Sequence, residues 1–449
     1  MGDTHPPQNI RDMIEDKIEF DILVLAVQES KFPIPSSNSS AIVTRPHKKR
    51  LDYISRLFLL ELGTNEWMQL KGAKLWNIQI TVFIKIRHLP KISQLEKHNE
   101  AVGIAGYGPN KGAVAIKFNF NTTSFCFIGS HLAAHQDKVE DRNRDFFSII
   151  SGLKLGQNKF DFDTQFHHVF WMGDLNYRID LPFNTVIDKI KENDLEYLKN
   201  HDQLLIQRSK NAAFEGYNEA AITFKPTYRY IRGTDTYNEE LNRIPSWCDR
   251  ILWKSLPNCE RFIKNTKYEA LDSIQSSDHH PVAALFKVMT LKWNIVHHRE
   301  KKLCISISNL RGNDLLSKDK NGFSDPFVTF SGFFLRFPAK TSVKKKTLNP
   351  SWTDEEIPLL YPTVTNFYLK YCYIYVLLLD EDLVGADNMG QGVIPLYDVF
   401  DSPEPVDFIC KLTLSGEPAG TLTGKIQLKS VTEKPPKVKQ SNIELQSFP

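Results

Sequence analysis

The sequence predicts an α/β layered sandwich followed by an all-β sandwich, on three observations. Strand-like apolar runs alternate with helical stretches through the first 290 residues, which argues for sheets covered by helices and against a bundle. After about residue 301 the pattern becomes short strands separated by turn residues, as in an antiparallel sandwich. A charged, His-containing connector, Trp293 to Lys302, lies between the two.

The strands expected in the first part are Phe20–Val27, Ile78–Ile86, Val114–Phe118, Ser124–Ile128, His168–Met172 and Val282–Val288. Leu51–Leu62 and Asp141–Leu153 carry apolar residues at a spacing near 3.6 and read as helices. The expected domains are therefore 1–290 and 301–431, with a disordered Lys-, Pro-, Ser- and Gln-rich tail over 432–449.

A length of 449 residues suits two or three domains, and 41% hydrophobic with 24% charged residues is ordinary for a soluble globular chain. The formal net charge of +3 is too small to imply a nucleic-acid partner. Two basic clusters, His47–Arg50 and Lys344–Lys346, are candidates for acidic headgroups. The six cysteines lack paired metal spacing, and Cys126, Cys304 and Cys372 fall in apolar runs, so reduced buried thiols in a cytoplasmic protein are expected. No signal-peptide core or run of about twenty apolar residues is visible.

The most informative segment is Val169-Phe-Trp-Met-Gly-Asp-Leu-Asn-Tyr-Arg178, an apolar strand that delivers Asp174 and Asn176 to its end. Two residues apart on a strand, both side chains would leave on one face. Arg243-Ile-Pro-Ser-Trp-Cys-Asp-Arg-Ile-Leu252 adds Asp249 and Arg250, and Ser277-Asp-His-His-Pro281 adds Asp278 and His279. Gln28-Glu29, Gly108–Val114, Ser130–His135 and Pro226–Tyr230 fill the gaps.

In this order the segments resemble the signature motifs of the Mg-dependent inositol polyphosphate 5-phosphatases, of the exonuclease III/DNase I-like fold. The resemblance covers roughly residues 1–290 and implies a four-layer α/β/β/α sandwich. It makes Glu29 the Mg²⁺ ligand, and has Asp174 hold and partly deprotonate the attacking water while Asn176 aligns water or phosphate. His279 would hydrogen-bond the scissile phosphate with its other nitrogen fixed by Asp249. Asp278 would sit near the metal, and His131 would be a further phosphate ligand. Asn110, Lys111, Tyr228, Arg229, Arg232, Arg243 (or Asn242) and Arg250 would select the substrate. Around Pro226–Gly233 and Pro245–Lys254 the match is to the Src-homology-2-containing subgroup, whose preferred lipid is phosphatidylinositol 3,4,5-trisphosphate. Family members open with a strand ending Trp-Asn-Met-Gly; here Met1-Gly2-Asp3 stands instead, which implies that this strand is missing.

A cysteine-phosphatase mechanism is a poor rival. Cys248 is followed by Asp-Arg-Ile-Leu-Trp-Lys, with no phosphate-cradling loop.

Lys302–Ser308, Asp319–Val328, Thr347–Trp352 and Val376–Asp382 resemble a C2 domain. That likeness implies a Ca²⁺ site on two loops from Asp319, Asp325, Asp380, Asp382 and Asp387, of which Asp387 is one residue early, with Phe323 as a membrane probe. The expectation is a Mg²⁺-dependent phosphoinositide 5-phosphatase docked to anionic membrane by its C2 domain. A Mg²⁺-dependent nuclease and a non-catalytic Ca²⁺-responsive adaptor are its rivals, and protein partners are left open.

Overall fold

The computed structural model describes residues 10–14, 20–29, 53–102, 110–239, 243–292, 303–320, 322–364, 366–382 and 384–431. The connector 293–302, the tail 432–449, the His47–Arg50 cluster, Gly108 and Asn242 lie outside the described residues. The chain divides into two units. The first contains residues 1–153, 168–254 and 262–290, and the second contains 154–167, 255–261 and 291–449.

The first unit is built on β1 (Ile22–Val27), β2 (Trp67–Leu75), β3 (Ile78–Lys85), β4 (Ile92–Ala101), β5 (Gly112–Phe120), β6 (Thr123–His131), β7 (His168–Asp174), β8 (Asn218–Glu219), β9 (Asp249–Ser255), β10 (Ile263–Ala270) and β11 (Val282–Val288). Three sheets result, with strand orders β1-β3-β2, β4-β5-β6-β7-β9-β8 and β10-β11. β6 and β7 pair in parallel, which demands a crossover. It includes the helix α1's successor in the chain, α2 (Val139–Gly152), while α1 itself is Tyr53–Leu62.

The sheets face each other across one apolar layer. Ile78, Ile80, Val82 and Ile84 of β3 meet Val114, Ile116 and Phe118 of β5, Phe125 and Phe127 of β6, and Phe170 and Met172 of β7. Each such side chain, fully buried, contributes about 1.5–3 kcal/mol. On the far side of β3, Phe83 packs with Ile54, Phe58 and Leu62 of α1. On the far side of β7, Trp171 lies 5.3 Å from Phe146 of α2. Helix, sheet, sheet, helix is the four-layer α/β/β/α sandwich of the exonuclease III/DNase I-like type.

The strands of the second unit are β12 (Leu303–Asn313), β13 (Pro326–Ser331), β14 (Ala339–Lys340), β15 (Tyr373–Glu381), β16 (Ala386–Pro395), β17 (Val406–Leu414) and β18 (Glu417–Ser430). All pair antiparallel, in the order β12-β18-β17-β16-β15-β13-β14. The sheet curls over a core that includes Ile305, Val328, Trp352, Val376, Met389 and Leu422, giving an all-β C2 sandwich. Within this unit the stretch 154–167 is tied to the sheet. The Asp161 amide donates to Gln391 Oε1 at 2.8 Å, and Tyr375 Oη donates to the Gln165 carbonyl at 3.0 Å.

All six cysteines are free and buried. No helix among the described residues is long and apolar enough to cross a membrane.

Candidate active site

The parallel register of β6 and β7 sets His131 opposite Asp174, so two strand ends deliver an imidazole and a carboxylate side by side. His131 Nε2 is 3.2 Å from Asp174 Oδ2. Lys111, just before β5, puts its ammonium on the same His131 nitrogen. Gly173 permits the close approach: at φ +133 a Cβ there would stand 2.2 Å from the Ser130 carbonyl and 2.8 Å from Gln28 Nε2. The last residues of β1 are thereby brought beside the end of β7.

Burial works to raise the Asp174 carboxyl, but the hydrogen bond with His131 and the charges of His131, His279 and Lys111 outweigh it. The group is held well below the ordinary carboxylate range and stays anionic. Burial lowers the Lys111 ammonium, against the pull of Asp174 and Glu29.

A second His–carboxylate pair stands beside the first. Asp249 opens β9, and its Oδ2 lies 2.9 Å from His279 Nδ1 while accepting from Thr227 Oγ1 at 2.8 Å. Burial disfavours the His279 cation, but the charge and hydrogen bond of Asp249, then Asp174 and Asp278, prevail and raise its pKa. With Nδ1 directed at Asp249, Nε2 is the atom left to face a substrate. Tyr228 packs its ring 4.6 Å from His279 and 4.4 Å from the Arg178 guanidinium.

Among the residues expected to select the substrate, Arg229 Nε is 3.2 Å from Asp278 Oδ2 and Arg232 Nη2 is 3.7 Å from Asp278 Oδ1. Asp278 thus holds two cations. Arg243 Nη1 is 3.3 Å from His135 Nδ1. Asn110 is exposed, and Glu29 is exposed at the end of β1 with φ +53.

Two expectations need correction. Arg250 is not a substrate contact: its guanidinium is wholly buried, 2.6 Å from Glu219 Oε1 and 3.0 Å from Asp202 Oδ1. Asn176 does not share a strand face with Asp174, because β7 ends at Asp174 and Asn176 sits in a left-handed turn at φ +57. Its side-chain amide donates to the Leu132 carbonyl at 3.1 Å and accepts from Arg178. Its contribution comes from the backbone, whose N–H donates to Asp174 Oδ1 at 3.0 Å.

Two residues were missed. Arg178 clamps Asn176 and stacks on Tyr228; it lay two positions beyond Asn176 in the quoted motif. Asp145 of α2 accepts from the Ala133 amide at 2.8 Å, fixing the loop after His131, and burial pushes its carboxyl up to about 6. No local sequence signal marks it.

Among the described residues no cluster of three or more His, Cys, Asp or Glu side chains is poised for a metal. The donor set still fits Mg²⁺, which keeps most of its water and needs only one or two carboxylates, here Glu29 and Asp174, whose charges both act on Lys111. Cys248 is fully buried, and burial raises its thiol well above the usual range, so it is a packed core residue.

Residues 1–285 match the Endonuclease/Exonuclease/phosphatase family 2. The chain belongs to that family. Residues 303–412 match the C2 domain. The chain is 33% identical over 467 residues to phosphatidylinositol 3,4,5-trisphosphate 5-phosphatase 1 of Xenopus laevis, covering 95% of this chain and 44% of that protein. It is 30% identical over 465 residues to phosphatidylinositol 3,4,5-trisphosphate 5-phosphatase 2 of Homo sapiens, covering 97% of this chain and 36% of that one. It therefore spans less than half the length of these curated relatives. A mutant Cimex nitrophorin, solved as a ferrous NO complex, superposes with a TM-score of 0.50 at 23% identity, covering 65% of this chain and 95% of that one. That likeness speaks for the endonuclease/exonuclease/phosphatase fold alone, since one fold hosts unrelated chemistries.

The C2 loops gather carboxylates. Asp380 is 1% exposed; its Oδ1 accepts from the Asp325 amide at 2.5 Å, and its Oδ2 has no hydrogen-bond partner among the described residues. Burial and then the charges of Asp319, Asp382 and Asp325 raise its pKa, so Asp380 feels the other three carboxylates. Asp387 faces Asp380 across the β15–β16 ladder and is exposed. A lysine supplies counter-charge: Lys345 Nζ is 3.1 Å from Asp325 Oδ2 and 2.8 Å from Glu381 Oε2. Phe323 is 46% exposed.

Proposed function

We propose that this chain is a Mg²⁺-dependent phosphoinositide 5-phosphatase acting on phosphatidylinositol 3,4,5-trisphosphate, 4,5-bisphosphate or both. The observation that carries the reading is the convergence of two imidazole–carboxylate pairs, Asp174–His131 and Asp249–His279, with Lys111 at the first. The names of the relatives supply the substrate class.

Glu29, with Asp174 near by, would hold the Mg²⁺, which when bound neutralises phosphoryl charge. Asp174, kept anionic, accepts a hydrogen bond from the attacking water. Its low basicity suits orientation more than proton removal. Lys111, seated against His131, places positive charge and donors where the phosphoryl oxygens gather. His279, cationic to a higher pH than an ordinary histidine, donates from Nε2 to the scissile phosphate. Water forms the new P–O bond, the bond to the 5-oxygen breaks, and that oxygen leaves as a hydroxyl bearing a proton derived from the water. No covalent phospho-enzyme is required.

In the second unit, Asp319, Asp325, Asp380 and Asp382 would hold Ca²⁺, for which the unpartnered buried oxygen of Asp380 is a suitable hard ligand. Phe323 and Lys344–Lys346 would meet an anionic membrane, placing the protein in the cytoplasm with recruitment to membranes.

The test is phosphate release from a panel of soluble and lipid inositides, with Mg²⁺ or with EDTA, beside abasic duplex DNA. Release confined to 5-phosphorylated inositides, lost in EDTA and in Asp174→Asn, is expected. Cleavage of DNA alone, or equal background from both proteins, would overturn the reading.

A further inference from the structure

The two residues that follow His131 have every backbone group engaged. The Leu132 amide donates to the Asp174 carbonyl at 3.1 Å, and the Leu132 carbonyl accepts from the Asn176 side chain at 3.1 Å. The Ala133 amide donates to Asp145 Oδ2 at 2.8 Å, and the Ala133 carbonyl accepts from Arg142 Nη1 at 3.1 Å. Arg142 and Asp145 stand three residues apart in α2, so one helix face grips Ala133 at both its donor and its acceptor. Arg142 Nη1 also donates to the His135 carbonyl at 2.7 Å.

The grip is itself held from behind. Arg142 Nη2 donates to Gln203 Oε1 at 2.6 Å, and that oxygen also accepts from the Arg178 amide at 2.9 Å. Gln203 Nε2 donates to the Gln136 carbonyl at 3.0 Å and to Asp180 Oδ1 at 2.7 Å. Gln203 therefore ties the loop after His131 to the segment after Asp174.

Packing alone does not call for an acid at position 145. A neutral amide or hydroxyl would accept the same N–H, and a buried carboxylate without a counter-ion costs more than either. Asp145 is 9% exposed and, among the described residues, makes no ion pair. What the acid adds is charge. The charges of Asp174, Glu29 and Asp145 all draw the Lys111 ammonium up against its burial, and Lys111 sits on His131.

We propose that Asp145, seated with Arg142 in α2, is a positioning residue for the His131–Lys111 pair, fixing the peptide after His131 and supplying an anion whose charge acts on Lys111. Its role in turnover rests on the hydrolase reading.

A pH signature follows. The charged and titratable groups acting on Asp145 are Asp141 and Arg144 of its own helix, Lys111 ahead of β5 and Tyr177 beyond β7. Burial dominates and pushes the carboxyl up to about 6. The catalytic carboxylate Asp174 is ionised far below that, and the raised His279 loses its proton on the alkaline side. The acid limb of the rate profile, near pH 6, therefore belongs to Asp145. Its effect on stability has the opposite sense. A carboxyl raised by folding favours the native state when protonated, and that contribution disappears as pH rises through about 6.

The test is Asp145→Asn, which keeps an acceptor for the Ala133 amide and removes the charge, beside Asp145→Ala, which removes both. In Asp145→Asn, kcat for phosphate release at pH 7.5 should fall roughly tenfold with KM within about twofold, and the acid limb near pH 6 should vanish. The same variant should melt no lower than the parent at pH 7.5. An unmoved acid limb would overturn the proposal, as would a melting temperature lowered in step with the rate, the mark of a merely structural residue. Amide exchange over Leu132–His135 separates the clamp from the hydrolase reading. It should quicken at least tenfold in Asp145→Ala and stay near the parent rate in Asp145→Asn. Unquickened exchange in Asp145→Ala would overturn the clamp even in an active enzyme. Quickened exchange in a protein that releases no phosphate would uphold the clamp and remove the hydrolase reading. Should Asp145→Ala fail to fold, the acid limb and melting temperature of Asp145→Asn decide alone.

Discussion

The two acidic centres of this protein solve charge differently. In the first unit three carboxylates each have a cation or donor from another strand or loop: Asp174 has His131, Asp249 has His279, and Asp278 has Arg229 and Arg232. In the C2 unit the charges of Asp319, Asp325 and Asp382 oppose that of Asp380, and Lys345 bridges Asp325 and Glu381. The first arrangement is pre-organised, so its oxygens stay in place without an added ion. The second stores repulsion that a divalent cation would relieve. A centre of the first kind should respond to substitution mainly in rate, and one of the second kind mainly in cation affinity.

The largest effect is expected at Asp174. Asp174→Asn keeps the shape, removes the anion that faces His131 and Lys111, and should lower phosphate release roughly 10³-fold with little change in melting temperature. A loss below tenfold in a steady-state assay would break the contrast.

Arg250 sharpens it by being paired and buried without serving the site. Arg250→Ala strands Asp202 and Glu219 in the interior and should cost about 3–5 kcal/mol in denaturant unfolding. Normal stability with lost turnover would return Arg250 to the substrate.

Asp249→Asn removes the largest influence raising His279. A raised histidine stabilises the fold fully below its unfolded pKa, and that contribution disappears as pH rises through the folded value. Activity that needs the imidazolium should follow the same sense. The alkaline limb of the rate profile should therefore move to lower pH in this variant, with about a 10²-fold lower rate at neutral pH. An unmoved limb would detach His279 from the titration.

Lys345→Ala should show the smallest effect and the opposite sign. Freed of a tethered ammonium, the loops should bind Ca²⁺ about two- to fivefold more tightly in calorimetric titration, an exposed ion pair being weak. Weaker binding would mean that Lys345 organises the loops.

Much of the fold was legible because apolar runs end in charged residues where strands reach the surface. Val282–Val288 is a strand with the expected bounds, and His168–Met172 extends two residues to reach Asp174. The site was legible where a motif sat at a strand end. It was misread where backbone geometry left the strand. The same-face argument for Asp174 and Asn176 fails because a left-handed turn intervenes, and side-chain spacing does not reveal that turn. Arg250 could have been placed from alternation alone. It follows Asp249 in one strand, so if Asp249 faces the site Arg250 faces away. Asp145 and Lys345 act across long sequence separations, and nothing near them announces their partners.

The stretch 154–167 belongs to the C2 unit although it precedes that unit's strands by far. Asp161 finds its acceptor at Gln391, 230 residues later. At 5–20 residues per second a ribosome needs roughly ten to fifty seconds to make that interval. During synthesis this peptide must wait, already extruded, for the strands that will receive it. A C2 fragment begun at residue 301 would never meet it, and should therefore emerge with Tyr375 and Gln391 bare.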